Sequence, residues 1–528
     1  MSTPAPAASA TLDPVPLDGL AGLKQNIKFD LPAGIIIFLI ALPLSLGIAV
    51  ASGAPPIAGV ITGFVGGILG GLLGGSYVTI NGAAAGLIAI VLGAVAGLAD
   101  PGQPIASGFK YALAVGVICG GLQILMGLAK MGKLTNMFPL SVVHGMLAGI
   151  GVIIMARQIH TLLGVSLSGK TMIETILAIP SSFANMHVQA AIIGALSLAM
   201  MMLWPKLPKA ITKVLPAPLA IIMVTVPMAM AMKLPANFLV KVPLEFMQSF
   251  QTPDWSKVGT GVFWKFVITY TLVASLESLL TAAAMDKMDP WKRRSNMNRE
   301  LTSKGLANAI SSFIGGLPMI AEVVRSSANI MNGARTRWSN IIHGTCLLLS
   351  VALIPQILNM IPLAALAGML VFIGSRLAHI KEFVHAAHIG KEEVGYMIAT
   401  VVFVVAIDLL WGIIIGFAIA VVFNAIRGGF TVKAQAEVET SGDNVIVKLK
   451  GAHGFLNFVS MRGKLDALPQ GKKLTIDYSG VTYMDHTVHE RFHDFNGEYA
   501  QTGGTVKTVG KEGLKATSSS DVSALVRG

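Results

Sequence analysis

The chain has 528 residues, 53% of them apolar and only 12% charged, with 57 glycines and a formal net charge of +12. Soluble proteins carry about 25% charged residues, so a wet surface on a chain this size is excluded. So much apolar content also excludes a chain that fails to collapse. The two cysteines, Cys119 and Cys346, both lie in apolar runs and exclude a disulfide framework. The sequence reads as a polytopic membrane protein.

Residues 1–29 are rich in Ala, Pro and Ser, lack an apolar signal core and read as a cytoplasmic tail. A bilayer core about 30 Å thick takes ~20 apolar residues per helix. Such runs fall near 31–52, 56–74, 82–99, 111–129, 138–156, 188–204 and 217–232. A second series falls near 264–285, 301–317, 326–334, 340–360, 362–378, 393–408 and 411–426, with a basic hydrophilic loop at 286–300. With the N-terminus inside, the inward loops carry Lys130 and Lys133, then Lys206, Lys209 and Lys213, then Lys287 to Arg299. Arg335, Arg337, Arg376, Lys381, Arg427 and Lys433 continue the series. The outward loops 53–55, 100–109 and 356–361 carry no Lys or Arg, and the lysines of 233–262 are offset by Glu245 and Asp254. The positive-inside rule then puts both termini in the cytoplasm. Basic residues spread over short loops do not make a nucleic-acid face. After Gly429 the pattern changes. Alternation at 443–450, a strand at 473–477, a helix over 485–500 and a strand at 505–509 predict a small α/β domain over 429–528.

The third and tenth runs are interrupted. Each follows a Gly-Gly pair and an extended stretch, then starts a short helix: Asn81-Gly82-Ala83-Ala84 in one, Arg325-Ser326-Ser327-Ala328-Asn329 in the other. Broken spans at matching positions of two halves point to a transporter site, and helix N-termini attract anions. Asn81 and Ser326 are expected to cap opposed half-helices, with Gly82, Ala83 and Ser327 small enough for an anion to reach the backbone. Arg325 at membrane depth suits an oxyanion through its planar fork; alternatively it only pairs with Glu322. Glu277, with Thr281 one turn on, reads as a proton carrier or a cation ligand, or else as a satisfied interhelical hydrogen bond. Asp408 reads as a cap. His486, His489 and His493 share one helix face, read as solvated rather than as a zinc site.

These residues resemble the SulP family of inorganic anion permeases with a C-terminal STAS domain. The matching segments are Asp30-Leu31-Pro32-Ala33-Gly34, Ser52-Gly53-Ala54-Pro55-Pro56, Asn81-Gly82-Ala83-Ala84-Ala85-Gly86, Arg325 to Asn329 with Gly333-Ala334-Arg335-Thr336, and Asp477-Tyr478-Ser479-Gly480-Val481 with Met484-Asp485. The resemblance implies an α-helical fold of fourteen membrane segments as 7+7 inverted repeats, forming core and gate domains over 30–428, and a cytoplasmic STAS domain. It implies a homodimer in the plasma (inner) membrane that moves sulfate, bicarbonate or chloride by an elevator-type mechanism. Coupling to H+ or Na+ through Glu277 and Thr281, or anion exchange, completes that expectation; no cofactor, metal or catalytic residue is implied. Some sodium-coupled members have Gly and Thr where this chain has Ala321 and Val323, which leans the reading toward protons. The family's polar contact on the first helix falls on apolar Leu44, leaving Ser45 as the candidate. In related STAS domains a phosphorylatable residue follows the signature Asp, which makes Thr487 a regulatory candidate. An anion channel on this scaffold and a sensor signalling through the STAS domain are the rival readings.

Overall fold

The computed structural model describes residues 14–133, 138–166, 171–212, 215–428, 433, 435–500 and 502–528. Most of the N-terminal tail, Lys213 and the expected boundary at Gly429 lie outside the described residues. The principal helices, in chain order, are α1 (Gly19–Ala51), α2 (Pro56–Leu73), α3 (Ile88–Leu98), α4 (Phe109–Leu128), α5 (Leu140–Leu162), α6 (Val188–Leu203) and α7 (Ala217–Ala231). There follow α8 (Gly261–Met288), α9 (Met297–Phe313), α10 (Val323–Met331), α11 (Trp338–Leu353), α12 (Leu363–Leu377), α13 (Lys391–Ala406) and α14 (Leu409–Gly428). Each of the fourteen apolar runs overlaps one of them. Among the described residues eight helices are long and apolar enough to cross a bilayer unaided, and the helices at 85–98, 217–231 and 338–353 are apolar but shorter. Asp408 accepts from the Trp411 amide at 3.0 Å, the cap expected at the start of α14.

The first helix differs from its expected start. It begins at Gly19, capped by Asp18, and runs unbroken through Asp30. In the segment before Asp30 the residues buried recur every four positions, Gly22, Asn26 and Asp30, while Lys24, Ile27 and Lys28 are exposed. Asp30 ties this helix to the loop after α10, accepting from the Arg335 and Thr336 amides at 2.8 and 3.0 Å and from the Thr336 hydroxyl at 2.5 Å.

Two compact units divide the chain. The first comprises Met1–Gly132, Gln158–Leu167 and Pro180–Phe372. Small residues let its helices pack backbone to backbone, as membrane interfaces require. A methyl group on Gly67 of α2 would come 2.5 Å from the Cα of Gly344 on α11, and one on Gly120 of α4 would come 2.5 Å from the Gly305 carbonyl on α9. Extended segments precede α3 and α10. They pair as the antiparallel strands β1 (Asn81–Gly82) and β2 (Ile320–Ala321), with Asn81 opposite Ala321 and Gly82 opposite Ile320.

The second unit comprises Lys133–Arg157, Ser168–Ile179 and Ile373–Gly528. It contains the C-terminal α/β domain: β3 (Ala436–Ser441), β4 (Asn444–His453), α15 (Phe455–Asp466), β5 (Lys473–Met484), α16 (His486–Ala500), β6 (Thr505–Val509), β7 (Leu514–Ala516) and β8 (Leu525–Arg527). Strand order is β3-β4-β5-β8-β7, with β6 on the first half of β5; β4, β5 and β6 are parallel through the two helices. Alternating Val445, Val447 and Leu449 from β4 meet Ile476, Tyr478, Phe458 and Phe492 in its core. The expected β-α-β order is present, and α15, β3, β7 and β8 are additions to it. The domain packs on helices of its own unit: Phe455 stacks edgewise on Phe417 of α14 at 5.6 Å, and Arg491 donates to the Phe138 carbonyl at 3.2 Å.

Candidate functional site

Backbone without helical hydrogen bonds at membrane depth has to be satisfied by side chains, and the polar residues of the first unit are deployed to that end. Before β1, Glu300 accepts from the Gly75 and Ser76 amides at 2.7 and 3.2 Å and is itself paired with Lys304 at 2.6 Å, both side chains fully buried. Arg337 donates to the Gly74 carbonyl at 2.8 Å. Asn329 donates to the Val78 carbonyl at 3.0 Å, and Glu322 N–H donates to the Ile80 carbonyl at 2.9 Å. Before and within β2, Thr62 accepts from Leu317 N–H at 2.6 Å, Asn308 from Met319 N–H at 2.6 Å and Ser278 from Ala321 N–H at 3.3 Å. Asn308 is held in turn by Gln123, which donates to Ser275 of α8. The strand crossing is thus a built feature.

The helix starts differ from expectation. Asn81 lies in β1, four residues before the 3-10 turn Ala85–Leu87 that leads into α3, and caps nothing. Helix α10 starts at Val323 with Glu322 at its cap position, so Ser326 belongs to its first turn. The reason is the strand pair itself, which keeps both segments extended as far as 82 and 321. The Ser326 hydroxyl accepts from Ile80 N–H at 2.9 Å, and Asn340 of α11 accepts from Asn81 N–H at 3.3 Å. Ser327 is half-buried, its hydroxyl donating back to the Val324 carbonyl at 3.0 Å. Ala83 is wholly buried.

Arg325 is the largest fully buried side chain among the described residues. Its Nε is 2.6 Å from Glu322 Oε2. Its Nη1 and Nη2 have no hydrogen-bond partner among the described residues. The guanidinium reaches back to β1, where a methyl group on Gly82 would lie 3.2 Å from Nη1. Gly82 also rests against Gly63 of α2, and Ser45 lies across Gly63 with its buried hydroxyl unpaired. Glu277 is buried on α8 with Oε1 unpaired, pressed so close to Gly86 that any side chain there would collide with its carboxylate. Thr281, one turn along, is buried too. Gly82, Arg325, Glu322, Glu277 and Gly86 therefore converge around one strand crossing. Ser326 and Ser327 border it with hydroxyls already engaged. Both amide atoms of buried Asn81 are unpaired, facing Gly70 of α2.

Sequence reading passed over two residues here, Asn340 and His343 of α11. Their signal was slight: an Asn and a His inside an apolar run, without a glycine pair or a charge beside them.

The C-terminal candidates lie elsewhere, in the second unit. Thr487 is only 2% exposed, which puts its hydroxyl beyond a kinase's reach in this conformation. His486 and His489 do not form a solvated face. They are buried, their Nδ1 atoms 2.7 and 2.8 Å from the Val522 and Ser523 carbonyls, because the C-terminal segment lies over them; His493 alone of the three is exposed. Burial holds the His489 imidazole down to about 4, and burial pushes the Asp485 carboxyl up to about 7 although two amides, of Val488 and Phe455, donate to it.

A bundle of apolar helices with two interrupted segments meeting across a buried cation is that of a multi-pass membrane transport protein. The chain belongs to the sulfate permease family, whose sequence profile matches residues 27–402. It is 27% identical over 405 residues to the putative sulfate transporter YvdB of Bacillus subtilis, covering 76% of this chain and 74% of that one. It is 26% identical over 406 residues to the bicarbonate transporter BicA of a Picosynechococcus, covering 76% and 71%. The fold is similar to murine Slc26a9, an anion transporter solved in the inward-facing state, with a TM-score of 0.69 at 15% identity over 91% of this chain and 85% of that one.

Proposed function

We propose that the protein is a secondary active transporter of a small inorganic oxyanion, of the sulfate or bicarbonate class, bound at the β1–β2 crossing. The observation that carries this reading is Arg325: a wholly buried guanidinium with two unpaired nitrogens beside the bare backbone of Gly82. Donors in that fork geometry match two oxygens of one oxyanion. Buried polar groups are ordinarily paired, and an anion would give the two nitrogens that Glu322 leaves free their partner.

Charge arithmetic favours proton coupling over sodium coupling. Arg325 pairs with Glu322, and Glu322 acts in turn on Glu277, so the three carry a net charge of −1 with both carboxylates ionised; an arriving anion makes this worse unless one carboxylate takes up a proton. A sodium site built from Glu277 and Thr281 would want further oxygens, and Ala321 and Val323 offer no side-chain oxygen. Both termini are then cytoplasmic, the membrane is the plasma membrane, and the C-terminal domain is a STAS domain of a homodimer whose core moves against its gate. Counterflow of labelled sulfate and labelled bicarbonate in proteoliposomes, at two pH values and with and without sodium, tests this. Saturable exchange that responds to pH alone supports it; flux that never saturates favours a channel. Intact uptake with loss of a signalling output on removal of residues 433–528 favours a sensor.

A further inference from the structure

His343 lies in α11, fully buried, and its Nε2 has no hydrogen-bond partner among the described residues. Three other buried histidines are paired, His160 with Ser182 at 2.6 Å and His486 and His489 with carbonyls, whereas His453 of β4, like His343, has an unpaired Nε2 among the described residues. The direction of the His343 ring follows from its helix. Three residues earlier, Asn340 accepts from the Asn81 amide of β1. Four residues later, Leu347 packs on Gly63, the glycine that backs Gly82. Residues at −3 and +4 share a helix face with 343, so the imidazole faces the same junction of β1 and α2. Arg325 is close enough to act on the ring, and the Asn340 backbone is in reach of one ring nitrogen as a hydrogen-bond partner, which leaves the other nitrogen bare.

We propose that His343 contacts the transported anion and selects an oxyanion that carries a hydroxyl group, hydrogen carbonate being the simplest, over a fully deprotonated dianion such as sulfate. This rests on the reading of Arg325 as the anion's main contact. Arg325 offers only donors, and the carboxylates of Glu322 and Glu277, when ionised, only acceptors. A neutral imidazole offers one of each. The two unprotonated oxygens of hydrogen carbonate suit the guanidinium fork, while its O–H can donate to the bare ring nitrogen. Sulfate has acceptors only, so with the ring N–H held by the Asn340 carbonyl the bare nitrogen would face an oxygen lone pair and stay unpaired. A site built to pair a substrate hydroxyl discriminates strongly against ligands without one.

The test uses the full-length protein in proteoliposomes at mildly alkaline pH, with labelled hydrogen carbonate uptake and unlabelled hydrogen carbonate, sulfate and chloride as competitors. For the wild type, hydrogen carbonate should compete at a concentration at least about tenfold below sulfate, equivalent to ~1.4 kcal/mol. His343→Leu should erase that gap by weakening hydrogen carbonate about tenfold and leave sulfate and chloride within about twofold. His343→Gln, which keeps a donor and an acceptor, should retain most of the gap. If His343→Leu is not inserted, His343→Met, unbranched and of similar volume, makes the same comparison. A wild type that prefers sulfate, or an unchanged ratio in the Leu or Met variant, overturns the proposal. Arg325→Ala in the same assay separates the two levels: if it leaves both anions unaffected, the anion-site reading itself fails.

Discussion

Removing Arg325 is the most direct challenge to the proposed site, and the structure says how the experiment must be built. A charge-assisted hydrogen bond contributes about 1.5–3 kcal/mol net, so removing one weakens affinity roughly ten- to a hundredfold. Arg325→Ala therefore should weaken anion binding at least about tenfold even if only one fork nitrogen touches the anion. The same substitution strands Glu322, whose Oε2 lies 2.6 Å from Nε. Breaking a buried pair from one side costs about 3–5 kcal/mol, so loss of uptake by the single variant could be loss of fold. The double variant Arg325→Ala with Glu322→Gln removes both charges and relieves that penalty. It should insert and melt close to wild type while still failing to bind. Arg325→Lys keeps the charge without the planar fork and should fall between. Binding is read by anion-dependent shifts in melting temperature, transport by counterflow. A double variant that is stable and takes up sulfate or bicarbonate at wild-type affinity refutes the assignment.

Glu277→Gln should leave anion binding within about threefold, since Gln keeps the shape and hydrogen bonding, and abolish the response of uptake to the driving ion; unchanged pH and sodium dependence would count against a coupling role. Gly86→Ala should reproduce that uncoupling from the other side, because its methyl group displaces the Glu277 carboxylate, with an overpacking cost of about 1–3 kcal/mol in a thermal melt. Ser327→Leu, at a half-buried position, should block transport at near-normal stability, whereas Ala83→Leu, wholly buried, should lose transport and about 1–3 kcal/mol together; normal transport by Ser327→Leu would move the anion path away from the start of α10. In the C-terminal domain, His489 titrates near 4 when folded against 6.5 unfolded, so its contribution is complete above pH 6.5 and is lost as pH falls through about 4. Asp485, raised to about 7, acts in the opposite sense, stabilising below 3.8 and losing that contribution as pH rises through 7. The protection factors of β8 amides in the full-length protein should therefore fall on acidification less in His489→Gln than in wild type; equal slopes would dismiss the histidine clamp.

The sequence and the structure agree where one physical signal dominates. Hydropathy over ~20 residues locates the eight long apolar helices, and strict alternation at Val445, Val447 and Leu449 locates β4. Disagreements fall where two signals compete. Small polar residues after an extended stretch, at Asn81 and Ser326, fit a helix cap and equally a strand that hydrogen-bonds another part of the chain. Nothing local says that Ile80 and Ser326, 246 positions apart, will meet. The same holds for His486 and His489: helical spacing shows a shared face, and only the fold shows that Val522 and Ser523 cover it. Among charges, Arg325 and Glu277 were legible because ionisable groups in apolar runs are rarely idle. His343 was not, since a lone histidine in a run such as 340–360 looks identical whether its ring nitrogens are paired or free.

A single economy connects the strand crossing with the binding chemistry. Extended backbone at membrane depth needs partners, and Thr62, Ser278, Glu300, Asn308, Ser326 and Asn340 supply them from separate parts of the chain. Each of those side chains has an oxygen engaged in that way, and of the six only Asn340 keeps a donor atom without a partner among the described residues, its Nδ2. The polar groups left over around the crossing include the Arg325 fork, one oxygen of Glu277, the Asn81 amide, the Asn340 Nδ2, the Ser45 hydroxyl and the His343 ring. An ion that enters must be recognised by that remainder. The remainder holds one strong cation, one carboxylate able to exchange a proton, and neutral groups that can both donate and accept. Such a set suits an anion whose own protonation state matters, and it links the choice of substrate to the choice of coupling ion through the same few atoms.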